Sequence, residues 1–465
     1  MDDTRFAPKR RGRRRSCGAL TLSAALLVAA CSTAAVDEGG ESSDASTPDT
    51  ASSAAGDSNG SDVDGTDSAT GTPTGPATLE PVTVAVLYPD VSVAAEFGFA
   101  EEIADLGPAF EAVMADANAR GGIAGHPIDI QLVEFDLLVA GDSVRACLTA
   151  TQDLGAFVVL GTNGVFGDPI SCVTEQNETF MITDDGAPEE FYDRADGRLV
   201  TLLPNKTETQ VAIIEAFRTE LEAAPFAVFS SFDTGGDNVT VERHLLPYLA
   251  EEQLEPAAVV VLDGDADVAA SQIPIEIERL RDAGVETIVS TAGFFSTGAF
   301  AQALAAADVD VTWIGSDAAG FASDLYATQM EPTQLDGARG VTVRTFGWQG
   351  AGIDEPVRRV DCRERVGELL GIEIGPDSLD VTAAIPACNF ADLLVAAGEL
   401  VEGDLDTASL SAAFQRLDTI ELAEFGAVGF GPDDFTGAQA AREVVWSLDC
   451  MCWSSVGDFE PVYDT

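Results

Sequence analysis

Residues Ala117–Asp136 read ANARGGIAGHPIDIQLVEFD, three glycines and a proline between two apolar runs. If those glycines cradle a phosphate, the chain is a nucleotide enzyme. If they only turn a helix into a strand, it is something else. A phosphate loop runs from a strand through glycines into a helix N-terminus, whose unpaired N–H groups face the anion. Here the order is reversed. Leu106, Phe110, Val113, Met114 and Ala117 recur at helical spacing upstream, predicting a helix over 99–119. Gly121 and Gly122 follow it where a left-handed cap belongs, and Gly125-His126-Pro127 turns into a strand over 128–135. A helix C-terminus repels anions, so the stretch is a helix-to-strand turn and the phosphate reading fails.

Outward from this turn, short apolar runs alternate with helical ones. Strands are predicted at 82–87, 156–160, 179–182, 226–230, 257–262, 286–290 and 311–315. Helices are predicted at 143–154, 168–177, 207–222, 239–253, 271–283 and 297–307. That alternation marks parallel sheets covered on both faces, and 465 residues are too many for one core. The fold class is α/β, two doubly wound parallel-sheet domains. After residue 340 the rhythm changes: a strand at 340–346, helices at 354–370 and 382–401, and a late strand at 443–448, which complete the earlier domains.

The first 30 residues are a leader. Seven basic residues, from Arg5 to Arg15, precede the apolar run Ala19–Ala30, too short to span a bilayer. The run ends in Val28-Ala29-Ala30-Cys31, which looks like a bacterial lipobox with Cys31 as the lipidated residue. Arg13-Arg14-Arg15 leaves both general and twin-arginine export open. Residues 31–80 hold almost only small, polar and acidic residues, a composition that reads as a disordered acidic tether.

Six further cysteines suit an oxidising compartment: Cys147, Cys172, Cys362, Cys388, Cys450 and Cys452. Pairing nearest neighbours is the simplest of their fifteen connectivities. The formal charge of −55 excludes a nucleic-acid partner and an anionic membrane surface. It fits either a saline habitat that screens self-repulsion or lineage bias in composition. No Walker loop, GxSxG or HExxH occurs, and His126 and His244 are the only histidines. Metal, cofactor and catalytic residues are therefore all expected to be absent.

Ligands of open α/β sheets sit beyond the carboxyl ends of the strands. Those ends hold Tyr88, Gly161-Thr162-Asn163, Thr183-Asp184-Asp185, Phe232-Asp233 and Ser316-Asp317. Small hydrogen-bonding groups, carboxylates and aromatics there suit a small polar ligand.

NARGGIAGHPIDIQLVEFD closely resembles the signature of type I periplasmic binding proteins related to the leucine/isoleucine/valine-binding proteins of ABC transporters. Softer support comes from VVLGTNG (158–164), FMITDDGAPE (180–189), TWIGSDAAG (312–320) and VGFGPDDFTG (428–437), the likeness covering roughly 82–440. It implies two lobes joined by three crossover strands near Leu203–Asn205, Val343–Gly347 and Gly426–Phe430. The first lobe is then 81–204 with 345–427, and the second 205–344 with 428–465. Thr162, Asn163, Gly164, Asp184, Asp185 and Gly186 fall where relatives hold a ligand carboxylate. Asp317 falls where an acid pairs with a ligand ammonium, and Tyr88 and Phe232 where aromatic walls stand. Asp184-Asp185 departs from the hydroxyl-bearing run of amino-acid binders, which favours a cationic or amide-bearing ligand. The expectation is a monomeric lipoprotein on the outer face of the cell membrane that delivers an amino-acid-like solute to an ABC permease. The alternative is a sensor of the same build without transport. A surface enzyme is the remote third reading.

Overall fold

The computed structural model describes residues 78–90, 104–136, 139, 141–162, 164–165, 167–231, 238–262, 266–317, 321–323, 327, 330, 332–432, 434–438 and 440–461. The basic leader, Cys31, nearly all of the tether, Asn163 and Phe232 lie outside them. The described residues belong to one compact unit, Ala69–Thr465.

Five parallel strands build the first sheet: β1 (Val82–Pro89), β2 (Ile128–Phe135), β3 (Val158–Gly161), β4 (Phe180–Thr183) and β5 (Leu199–Thr201). Their order across it is β2-β1-β3-β4-β5. Side chains alternate across a strand, so Val84 and Val86 enter one core while Ala85 and Leu87 enter another on the opposite face. Burial on both faces is why these runs are apolar throughout rather than alternating.

Helix α1 (Leu106–Ala119) covers one face, started by Asp105, whose carboxylate accepts from the Gly107 N–H at 2.9 Å. Beyond it the glycine turn takes the expected shape: Gly121, Gly122 and Gly125 have φ of 122°, 60° and 86°. Asn118 then brackets the entry to β2, accepting from Ile128 N (2.6 Å) and donating to Ile128 O (3.0 Å).

The second sheet takes its parallel strands from β6 (Phe226–Ser231), β7 (Ala258–Leu262), β8 (Thr287–Ser290), β9 (Thr312–Ser316) and β10 (Arg339–Thr342). A separate two-stranded ribbon pairs β11 (Ile420–Glu421) with β12 (Ala427–Val428). Two antiparallel strands then close one edge of the second sheet, β13 (Ala440–Ser447) and β14 (Cys452–Pro461). Its order is β14-β13-β10-β9-β8-β6-β7. The edge hairpin adds two antiparallel strands to an otherwise parallel sheet. It also carries Trp446 and Trp453 into the core beside Phe321 and Trp313.

The helices after residue 345 return to the first sheet. Helix α2 (Val357–Leu370) and helix α3 (Asp380–Glu399) pack on α1. Helix α3 is long and apolar enough to cross a membrane, but 83% of its apolar window is buried inside the molecule, so it is a core helix. Gly398 near its end admits the glycine turn: a Cβ there would lie 2.7 Å from Ala124 N and 3.0 Å from Ile123 Cα. The three disulfides join sequence neighbours, Cys147–Cys172, Cys362–Cys388 and Cys450–Cys452. The second of them ties α2 to α3.

The chain passes between the sheets three times, and backbone hydrogen bonds flank these passages. Thr345 N donates to Glu424 O, with Arg344 bridged antiparallel to Phe425. Thr201 N donates to Phe435 O (3.0 Å) and Gly437 N to Thr201 O (2.8 Å), with Thr436 bridged parallel to Thr201. Residues 435–437 therefore still line the first sheet. β13, which begins at Ala440, belongs to the second sheet.

Candidate functional site

The loops after β3 and β4 meet. Thr162 Oγ1 donates to Asp184 Oδ2 at 2.6 Å, and both residues are buried. The backbone N–H groups of Gly164 and Val165 each donate to Asp185 Oδ2 at 3.1 Å. The groups expected to receive a ligand carboxylate are thus engaged by two carboxyls of the chain itself. Asp184 Oδ1 is buried and has no hydrogen-bond partner. Gly186 lies against the first connection: a Cβ there would sit 2.4 Å from Pro204 O, so only glycine fits.

Burial, then repulsion from Asp185, pushes the Asp184 carboxyl up to about 8, against the pull of Arg344. Burial also raises Asp185, opposed by Arg344, the two backbone N–H groups and Lys206. The two acids share one desolvated space, so a proton is held there at neutral pH.

Asp317 follows β9 and is reached from the second connection. Thr342 Oγ1 donates to its Oδ2 at 2.8 Å, and Arg344 Nε lies 3.7 Å from the same oxygen. Arg344 also pairs with Glu424 (2.8 Å), donates to the backbone O of Asp184 (3.1 Å) and stacks 5.1 Å from the Phe425 ring centroid. One guanidinium thus touches the first sheet's loop, the second sheet's loop and the segment Glu424–Phe425 bonded beside it. Its five N–H donors in a rigid fork make arginine the side chain for this place.

Tyr88 stands one residue past Leu87, whose carbonyl accepts from the Thr162 N–H at 3.1 Å. It ends β1 opposite Glu134 in β2, and its phenol is raised by burial and then by Glu134, Asp105 and Asp90. Glu134 is raised too, by burial and by Asp90. At and after β6, Ser230 Oγ and both amide atoms of Asn238 are buried without a hydrogen-bond partner. Gly293 N donates to Ser231 Oγ at 3.0 Å close by in the same set of strand ends.

Arg344, Thr342, Glu424, Ser230 and Asn238 were not among the residues that the sequence singled out. For Arg344 a signal existed: GVTVRTFG puts one of the chain's few cations inside an apolar, β-branched run. Its partners stand far off in sequence, and nothing local names them. Among the described residues no cluster of three or more His, Cys, Asp or Glu is arranged to hold a metal ion.

No family model matches the chain, and no curated protein matches it in sequence. Solved structures do match in fold. An ABC-transporter solute-binding protein from Rhodopseudomonas palustris BisB5, in complex with 3,4-dihydroxybenzoic acid, superposes with TM-score 0.59 at 12% identity, covering 83% of this chain and 98% of that one. A leucine-binding protein from Thermotoga maritima gives TM-score 0.57 at 13% identity, with 82% and 99% covered. A leucine-, isoleucine-, valine-, threonine- and alanine-binding protein from Brucella ovis, in its closed conformation, gives 0.56 at 15%, with 83% and 96% covered. Two α/β sheets, three passages of the chain between them and these superpositions give one conclusion: the chain has the fold of the type I periplasmic binding proteins.

Proposed function

We propose that this chain is an extracellular solute-binding protein, anchored through Cys31, that captures a small polar solute by hinge closure and hands it to an ABC permease. The observation that carries the reading is Arg344, whose guanidinium joins the Asp184 backbone of one lobe to Asp317 of the other. Charged groups from both lobes meet beside the connections, where closing the lobes would desolvate a solute and strengthen every polar contact to it. The proteins it resembles in fold bind leucine, other small amino acids or a hydroxybenzoic acid, all small solutes. The proposed lobes are 81–204 with 345–438 and 205–344 with 439–465. No bond chemistry is assigned, and the protein works as a monomer on the outer face of the cell membrane.

The test is a thermal-shift panel on the full-length chain in detergent, with amino acids, amines, amides and small aromatic acids. Ligand at about 100 times its Kd adds roughly 2.7 kcal/mol of stability. Any hit is then followed by small-angle scattering, where closure lowers the radius of gyration. A panel without a single saturable shift overturns the reading, as does a ligand that is turned over into product.

A further inference from the structure

Two consecutive backbone N–H groups aimed at one point make an anion-binding nest. Here the nest of Gly164 and Val165 holds Asp185 Oδ2, at 3.1 Å from each nitrogen. A carboxylate arriving from solution would have to displace Asp185 and then lie beside it, two like charges in a desolvated space. The chain has filled its own anion site.

The other half of the site is short of donors. Asp184 is 5% exposed, with Oδ2 taken by Thr162 and Oδ1 left without a partner or solvent. A buried acceptor has lost its water and gained nothing in return, a deficit that a ligand N–H would make good. The charges around Asp184 are Asp185 on the same loop, Arg344 on the second connection, and Glu424; Asp185 in turn faces Arg344 and Lys206. Arg344 is already shared with Asp317 and Glu424. Four carboxyls thus gather on one guanidinium.

We propose that the site takes a small organic cation bearing N–H donors and no carboxylate, with Asp184 as its counter-charge and Asp185 as a built-in block against carboxylates. The inference rests on the solute-binding reading above and names the class of solute. It also sets the pH behaviour. A bound cation holds Asp184 ionised, so binding at pH 7 releases a proton and affinity rises with pH up to about 8.

The experiment is titration calorimetry on the full-length chain with pairs that differ by one carboxylate: isopentylamine and leucine, putrescine and ornithine, agmatine and arginine. At least one amine is expected to bind ~10-fold or more tighter than its amino acid, the scale of a single charge-assisted hydrogen bond. Repeating it in buffers of different ionisation enthalpy is expected to show proton release. Asp184→Asn should weaken that amine ~10-fold or more, and Asp185→Ala should narrow the gap within the pair by a similar factor by opening the nest. The wild-type comparison carries the test even if a variant does not fold. Amino acids binding as tightly as their amines, or proton uptake on binding, overturns the proposal. So does a hydroxybenzoate that binds where no amine does, though that result leaves the solute-binding reading in place. Silence from every solute class removes that reading instead.

Discussion

Asp184 makes its two oxygens unequal, one against Thr162 and one against nothing. An acid whose native pKa is raised above its unfolded value keeps its proton longer in the native state. Its contribution to stability is then complete below about pH 4 and is lost as pH rises through about 8. Asp184→Asn, which keeps the shape and cannot ionise, should therefore lose less stability than wild type between pH 5 and pH 8. Urea unfolding of both proteins at the two pH values checks this, and parallel losses would refute the raised pKa. At this scale the sequence was only partly legible. That Thr162, Gly164, Asp184 and Asp185 stand at strand ends follows from the β-branched runs before them. That the two aspartates turn inward onto Thr162 and the Gly164 amide does not, because a side-chain rotamer is chosen by partners that the fold brings near. Arg344 shows the same limit, since its contacts with Asp184 and Asp317 are 160 and 27 residues away.

Elements were easier to read wherever periodicity spoke for itself. The strand over 128–135 and the turn before it stand where the spacing predicts, and α3 occupies most of the predicted 382–401. The antiparallel β14 was missed because CWSSVGDFEP at a sheet edge mixes Gly, Asp and Ser with its apolar residues, so no clean alternation survives. The short β5 lacks the length to show a period at all. The glycine turn and α3 depend on each other through Gly398, whose missing side chain lets the Gly122–Ala124 backbone approach. Gly398→Val should destabilise the protein by about 1–3 kcal/mol through overpacking. Gly375→Ala, where nothing lies within 4 Å, should stay within ~0.5 kcal/mol. Chemical unfolding midpoints of the two variants make the comparison, and equal midpoints would show that the close approach at Gly398 does not matter.

Over the whole molecule, the charge of −55 opposes compaction, and salt is the lever that reveals it. The Debye length shrinks from ~30 Å at 0.01 M to ~3 Å at 1 M, so repulsion between distant surface acids fades across that range. The unfolding midpoint should therefore climb as sodium chloride is raised, and a flat or falling midpoint would show that the acidity costs the fold little. The connections carry a different consequence. Three unlinked strands could each twist on their own, letting the lobes wobble, slide and rotate in many combinations. Here Thr201 is tied to residues 435–437 and Arg344–Thr345 to Glu424–Phe425, so neighbouring strands share a backbone ladder. Such bonds restrain independent twisting of these segments. On the proposed solute-binding reading, a hinge restrained in this way would offer a permease one shape for empty and one for full.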